Sequence, residues 1–136
     1  MTTPLLPPDF GAPIGRYTPG LLSTGPCGDW VFVSGQVATD AQGRTVGAQD
    51  IRTQTRQVFA NLAAVLAEGG AALSDLLSVT VHLTSRADFA GFTEERNRVF
   101  AHRTPPTSTV VIVRGLVVPE HLVEVSGIAR RGTAGR

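Results

Sequence analysis

Residues 76–84 read Leu76-Leu77-Ser78-Val79-Thr80-Val81-His82-Leu83-Thr84, and this alternation decides the fold. Val79, Val81 and Leu83 fall on one side of an extended chain, with Ser78, Thr80, His82 and Thr84 on the other: the period of two of a half-buried strand. A helix follows. Asp88 stands where a cap is needed, and Phe89, Phe92, Val99 and Phe100 form an inner stripe until Pro105-Pro106 ends it. Val110-Val111-Ile112-Val113 then reads as a strand apolar on both faces, as a central strand is. Strand, helix, strand is a crossover unit, so part of the sheet must be parallel.

Upstream, Asp50 opens the clearest helix. Ile51, Val58, Leu62, Val65 and Leu66 recur at helical spacing, Arg52, Gln54, Arg56 and Gln57 cover the remainder, and Gly69-Gly70 stops it. Before it, Trp30-Val31-Phe32-Val33 is a short β-prone run, and Gly35 after it marks a bulge or a close backbone approach. Asp40-Ala41-Gln42-Gly43 is a turn, as is Tyr17-Thr18-Pro19-Gly20. Residues 1–12, rich in proline, read as an irregular arm, and residues 131–136 as a flexible tail. Downstream, residues 122–129 form the last strand, with Leu122, Glu124, Ser126 and Ile128 on one face and Val123, Val125 and Ala129 on the other.

The pattern predicts a single α+β domain over residues 1–136, with one mixed sheet and both helices on one face. The opposite face is expected to remain too apolar for water, since residues such as Val79 and Val81 and one face of 110–113 must lie somewhere, and this predicts self-association.

Composition narrows the function classes. All 12 basic residues are arginine, so lysine Schiff-base chemistry and a P-loop are excluded. Net charge is +1 with no basic stripe, which argues against nucleic acid and against an acidic membrane surface. The single cysteine, Cys27, allows no internal disulfide. Three dispersed histidines (His82, His102, His121) give no metal pattern, and neither Ser34 nor Ser108 lies in a nucleophile elbow. No apolar run is long enough to span a bilayer, and the N-terminus does not read as a signal peptide, so the expected location is cytoplasmic.

Several segments together resemble the Rid (YjgF-like) family: Ile14-Gly15-Arg16-Tyr17, Val31-Phe32-Val33-Ser34-Gly35-Gln36, Thr53-Gln54-Thr55-Arg56-Gln57, Val79-Thr80-Val81-His82-Leu83-Thr84, Asp88-Phe89, Pro106-Thr107-Ser108-Thr109-Val110 and Leu122-Val123-Glu124-Val125. The resemblance implies a chorismate-mutase-like fold, a homotrimer, and small-molecule clefts between subunits. It implies hydrolysis of reactive enamines and imines, such as those released from serine or threonine, to keto acids and ammonia, with no metal or organic cofactor. It places Tyr17, Gly35, Thr93, Thr107, Ser108, Thr109 and Ser126 around the substrate.

This chain is similar to that family but departs from it at three of these places. Where deaminating members carry a carboxylate-clamping arginine, it has Thr107; where they carry the water-positioning glutamate, Ser126; and where they carry an asparagine, Thr93. A threonine hydroxyl supplies neither the charge nor the fork of a guanidinium. Glu120 and Glu124 are the acids nearest the expected cleft, and Glu124, two residues from Ser126 on the same face, is the candidate general base beside Tyr17. Two readings follow: an enzyme handling an enamine, imine or related carbonyl compound unlike the usual amino-acid-derived imine, and a non-catalytic trimer that binds a metabolite or a partner. Ribonuclease activity is disfavoured by the charge.

Overall fold

A computed structural model describes residues 1–132. Six strands form one sheet in the order β1-β2-β3-β6-β4-β5: β1 (Thr2–Leu5), β2 (Gly20–Ser23), β3 (Trp30–Gln36), β4 (Leu76–Leu83), β5 (Thr107–Ile112) and β6 (Val123–Arg130). Helices α1 (Ile51–Glu68) and α2 (Phe89–Val99) supply the second layer. All neighbours pair antiparallel except β4 and β5, which run parallel because α2 carries the chain back between them.

The alternation in β4 and β6 sorts their residues as the sequence predicts. Val79, Val81, Leu83, Val123, Val125 and Ala129 are buried with Val58, Leu62, Val65, Leu66 and Phe92 from the helices. Phe59 stacks on Phe92 and meets Phe100 edge-on, locking α1 to α2. The Asp50 carboxylate accepts from the Arg52 and Thr53 amides and so caps α1. Gly70, at φ 72°, lets the chain leave α1 in the left-handed region.

Several expectations need correction. The arm at 1–12 is not irregular throughout: it carries β1, and Pro4 is tolerated there because β1 is an edge strand. Residues 110–112 belong to the opposite edge strand, not a central one, since β6 already occupies the other side of β4. Val79 and Val81 lie under the helices, so they do not make the open face apolar; its exposed apolar residues are Leu21, Phe32, Val111 and Ile128, among polar neighbours. Asp88 makes no side-chain cap to α2; the Ser85 hydroxyl accepts from the Ala87 amide in the turn before it. Gln54 is buried, not solvent-facing. Its amide nitrogen donates to the Gly47 and Glu120 carbonyls, and its oxygen accepts from the Leu122 amide. In the expected tail, the Arg131 amide donates to the Asp29 carbonyl and its guanidinium pairs with the Asp29 carboxylate; residues 133–136 lie outside the described residues.

Candidate functional site

The open face of the sheet is organised by register. Phe32 pairs with Ile128 and with Leu21, giving an apolar row toward the β1 side. Ser126 pairs with Thr80, and Thr80 with Thr109, giving a row of hydroxyls. Glu124 pairs with His82, and His82 with Val111, placing an acid and an imidazole beside those hydroxyls.

Gly35 completes the group. The register of β3 against β6 shifts between Val33 and Gln36, so the chain bulges at Ser34-Gly35. A Cβ built on Gly35 would stand 2.6 Å from Glu124 Cδ and 2.8 Å from its Oε1. The glycine thus lets a carboxylate lie directly on the backbone. Glu124 Oε2 is 3.6 Å from His82 Nδ1, beyond hydrogen-bond length but within ion-pair reach when the imidazole is protonated. That nitrogen is otherwise buried without a hydrogen-bond partner in the chain. Both side chains remain about one-third exposed, so Glu124 can meet a ligand.

On the other flank of Gly35 lies a cavity of about 400 Å³ between the N-terminal arm, the loop after β3 and α1. Its polar lining includes Tyr17, Gln36, Gln57, Asn61 and His121 together with Thr39 and the carboxylates of Asp9 and Asp40, and Gly35 stands in its wall. Asn61 is committed to structure, its amide donating to the carbonyls of Val37 and Thr39 at 3.0 Å each. His121 is buried, 3.2 Å from the Thr45 hydroxyl, and burial lowers its pKa against the opposing pull of Glu120 and Glu124.

Within one chain the sequence-predicted residues fall into separate groups. Tyr17 and Gly35 share the cavity. Thr109, Ser126 and Glu124 share the open face with His82. Thr107 also heads that face of β5, but its hydroxyl already donates to the Leu77 carbonyl at 3.0 Å. Ser108 points to the helix side, where Arg96 reaches it, and Thr93 lies on α2 with its buried hydroxyl unpartnered. His82 joins the open-face group through the register that sets it opposite Glu124. Among the described residues no three His, Cys, Asp or Glu side chains cluster as metal ligands. No helix is long and apolar enough to cross a membrane.

The family profile described as Endoribonuclease L-PSP matches residues 10–131. The chain belongs to the Rid (Endoribonuclease L-PSP) family. A RutC family protein of Pyrococcus abyssi is 33% identical over 117 residues, covering 86% of this chain and 87% of the relative. The Rid protein YyfA of Yersinia pestis superposes with a TM-score of 0.86 at 25% identity, covering 96% of this chain and 99% of that one. E. coli TdcF, solved with bound serine, superposes at 0.83 with 27% identity over 96% of this chain and 99% of its own. One mixed sheet with two helices on one face is therefore the Rid (YjgF-like) fold. In this Rid chain the open face presents hydroxyls, an imidazole and a carboxylate where the sequence resemblance implies an arginine and a glutamate at positions 107 and 126.

Proposed function

We propose that this Rid chain forms a homotrimer with small-molecule clefts between subunits, and that in the cytoplasm it hydrolyses an enamine, imine or related carbonyl compound whose head group is not the usual carboxylate. One observation carries the reading: Gly35, a residue of the cavity wall, cedes its Cβ space to the Glu124 carboxylate, which lies beside His82 and two residues from Ser126. Carboxylate and imidazole together can take a proton from water and return one to a leaving amine. The chemistry balances with water alone. Protonation of the enamine carbon gives an iminium, water adds to it, and ammonia leaves as the carbonyl forms. Thr80, Thr109 and Ser126 are hydroxyls suited to a neutral carbonyl or amide, and the bound serine of TdcF is consistent with a polar, metabolite-sized occupant.

A second reading is a trimer that holds a metabolite without turnover. The threonine at 107, its hydroxyl already engaged by Leu77, together with the serine at 126, favours it.

The test generates 2-iminobutyrate and its neutral amide in situ and follows carbonyl product and ammonia. Wild-type protein is expected to leave the carboxylate near the uncatalysed rate and to accelerate hydrolysis of the amide, with Glu124→Gln abolishing the acceleration. Background rates on both, with the amide still bound, would establish the second reading. A stable monomer by light scattering would defeat the intersubunit site.

A further inference from the structure

The helix side of the sheet holds a groove of about 800 Å³ between β5 and α2, which the reading above does not use. Its floor is Val79, Val110 and Ile112, and Phe89 and Phe100 form the wall. This is the size and apolar character of a small-molecule site. Two guanidinium groups line it, Arg86 and Arg96. Among the described residues neither has a carboxylate within ion-pair distance, a state they share with Arg16, Arg103, Arg114 and Arg130, none of which lines the groove. No aspartate or glutamate lines the groove.

Arg96 is also held in place. Its guanidinium carbon lies 5.2 Å from the centre of the Phe92 ring, and one nitrogen donates to the Ser108 hydroxyl at 3.3 Å. A guanidinium has five N–H donors, so most of the fork remains for a ligand. Its orientation costs a ligand little, because ring and hydroxyl have already fixed it.

We propose that this groove binds an organic carboxylate, with its hydrocarbon body on Val79, Val110 and Ile112 and its carboxylate on Arg96, assisted by Arg86. Charge complementarity selects the occupant. A neutral ligand would leave both cations unmatched, and two guanidinium groups are too few for a nucleic-acid track. The site does not rest on the Glu124 reading, since the floor residues Val79, Val110 and Ile112 and the open face lie on opposite sides of the sheet.

Titration calorimetry with hexanoate, 3-phenylpropanoate, hexanamide and hexyl phosphate tests it on the full chain. Both carboxylates are expected to bind at least about tenfold more tightly than the amide, the effect of one charge-assisted pair. Arg96→Gln is expected to lose that advantage and Arg86→Gln part of it, with unchanged thermal midpoints showing that the variants are folded. The Ile112 methyl resonance is expected to shift on saturation, while Tyr17 and His121 stay unmoved. Equal affinity for amide and carboxylate would overturn the proposal, as would an Arg96→Gln protein that binds hexanoate normally. Hexyl phosphate binding tenfold tighter than hexanoate would overturn the choice of head group. Hexanoate that splits the oligomer instead of saturating one site per chain would show that a second copy covers the groove, and that too would overturn it.

Discussion

His82 and Glu124 stand directly opposite each other on β4 and β6, with Nδ1 3.6 Å from Oε2. Neither strand's pattern reveals the pair by itself. The antiparallel register creates it, and the bulge at Ser34-Gly35 leaves room for the acid.

If this pair moves protons, its two halves are unequal. Glu124→Gln is expected to lower kcat/KM on the neutral imine by about 10²-fold, the usual contribution of a general base. His82→Gln, which keeps a polar side chain but cannot relay a proton, is expected to cost about tenfold. Steady-state rates for the three proteins check this.

Adding one methyl group at Gly35 tests the packing of the acid. Gly35→Ala places a carbon 2.6–2.9 Å from the Glu124 side chain, which must move. Overpacking of this kind costs about 1–3 kcal/mol. In Glu124→Ala the same substitution is expected to cost much less, so a double-mutant cycle of denaturant unfolding should show coupling of about 1 kcal/mol or more.

Restoring the charges that the resemblance implies should restore the ordinary substrate. Thr107→Arg with Ser126→Glu is expected to raise hydrolysis of 2-aminoacrylate and 2-iminobutyrate by about 10²-fold over wild type, because a carboxylate clamp and a water-positioning acid return together. Neither single substitution should achieve it. Pyruvate or 2-oxobutyrate release measures the outcome.

His121 predicts a pH dependence of stability. Burial holds its folded pKa below the ordinary 6.5, so between the two values the unfolded chain binds more protons than the folded one. The stabilising contribution is therefore complete above pH 6.5 and is lost as pH falls through the folded value. Asp40, Asp50 and Glu94, whose carboxyl pKa values are also lowered, by hydrogen bonds from Arg44, Thr53 and Arg52 respectively, lose their contributions only at more acidic pH. Thermal midpoints are expected to fall as the pH is lowered below 6.5, and His121→Gln is expected to reduce that slope.

The sequence showed the fold wherever periodicity and burial coincide. Residues 76–83 and 123–130 alternate because only one face of each strand meets the helices, and α1 carries an apolar stripe between an aspartate cap and a glycine stop. It hid β1, because Pro4 argues against a strand unless the strand is known to be an edge. It misread Gln54, a polar side chain whose partners are backbone groups of segments 47 and 120–122, distant in the sequence. It could not distinguish an edge from a centre at 107–112, because the groove under β5 asks for the same apolar residues that a central strand needs. Of the candidate site, Tyr17 and Gly35 were each named through the resemblance, and both line one cavity. The pairing of His82 was not legible, since a histidine on a strand's polar face becomes informative only once its cross-strand neighbour is known.

The outer margin of β5 carries no charged residue over Thr107–Ile112, and among the described residues no further strand pairs with it. Natural sheets usually blunt such margins with charges, prolines or bulges. In the proposed homotrimer, a subunit released from its neighbours would therefore offer a sticky template to any extended chain nearby. Fibre formation, rather than simple unfolding, is the expected fate of assembly-defective variants at high concentration, and a lysine at Thr109 or Val111 would be the gatekeeper that prevents it.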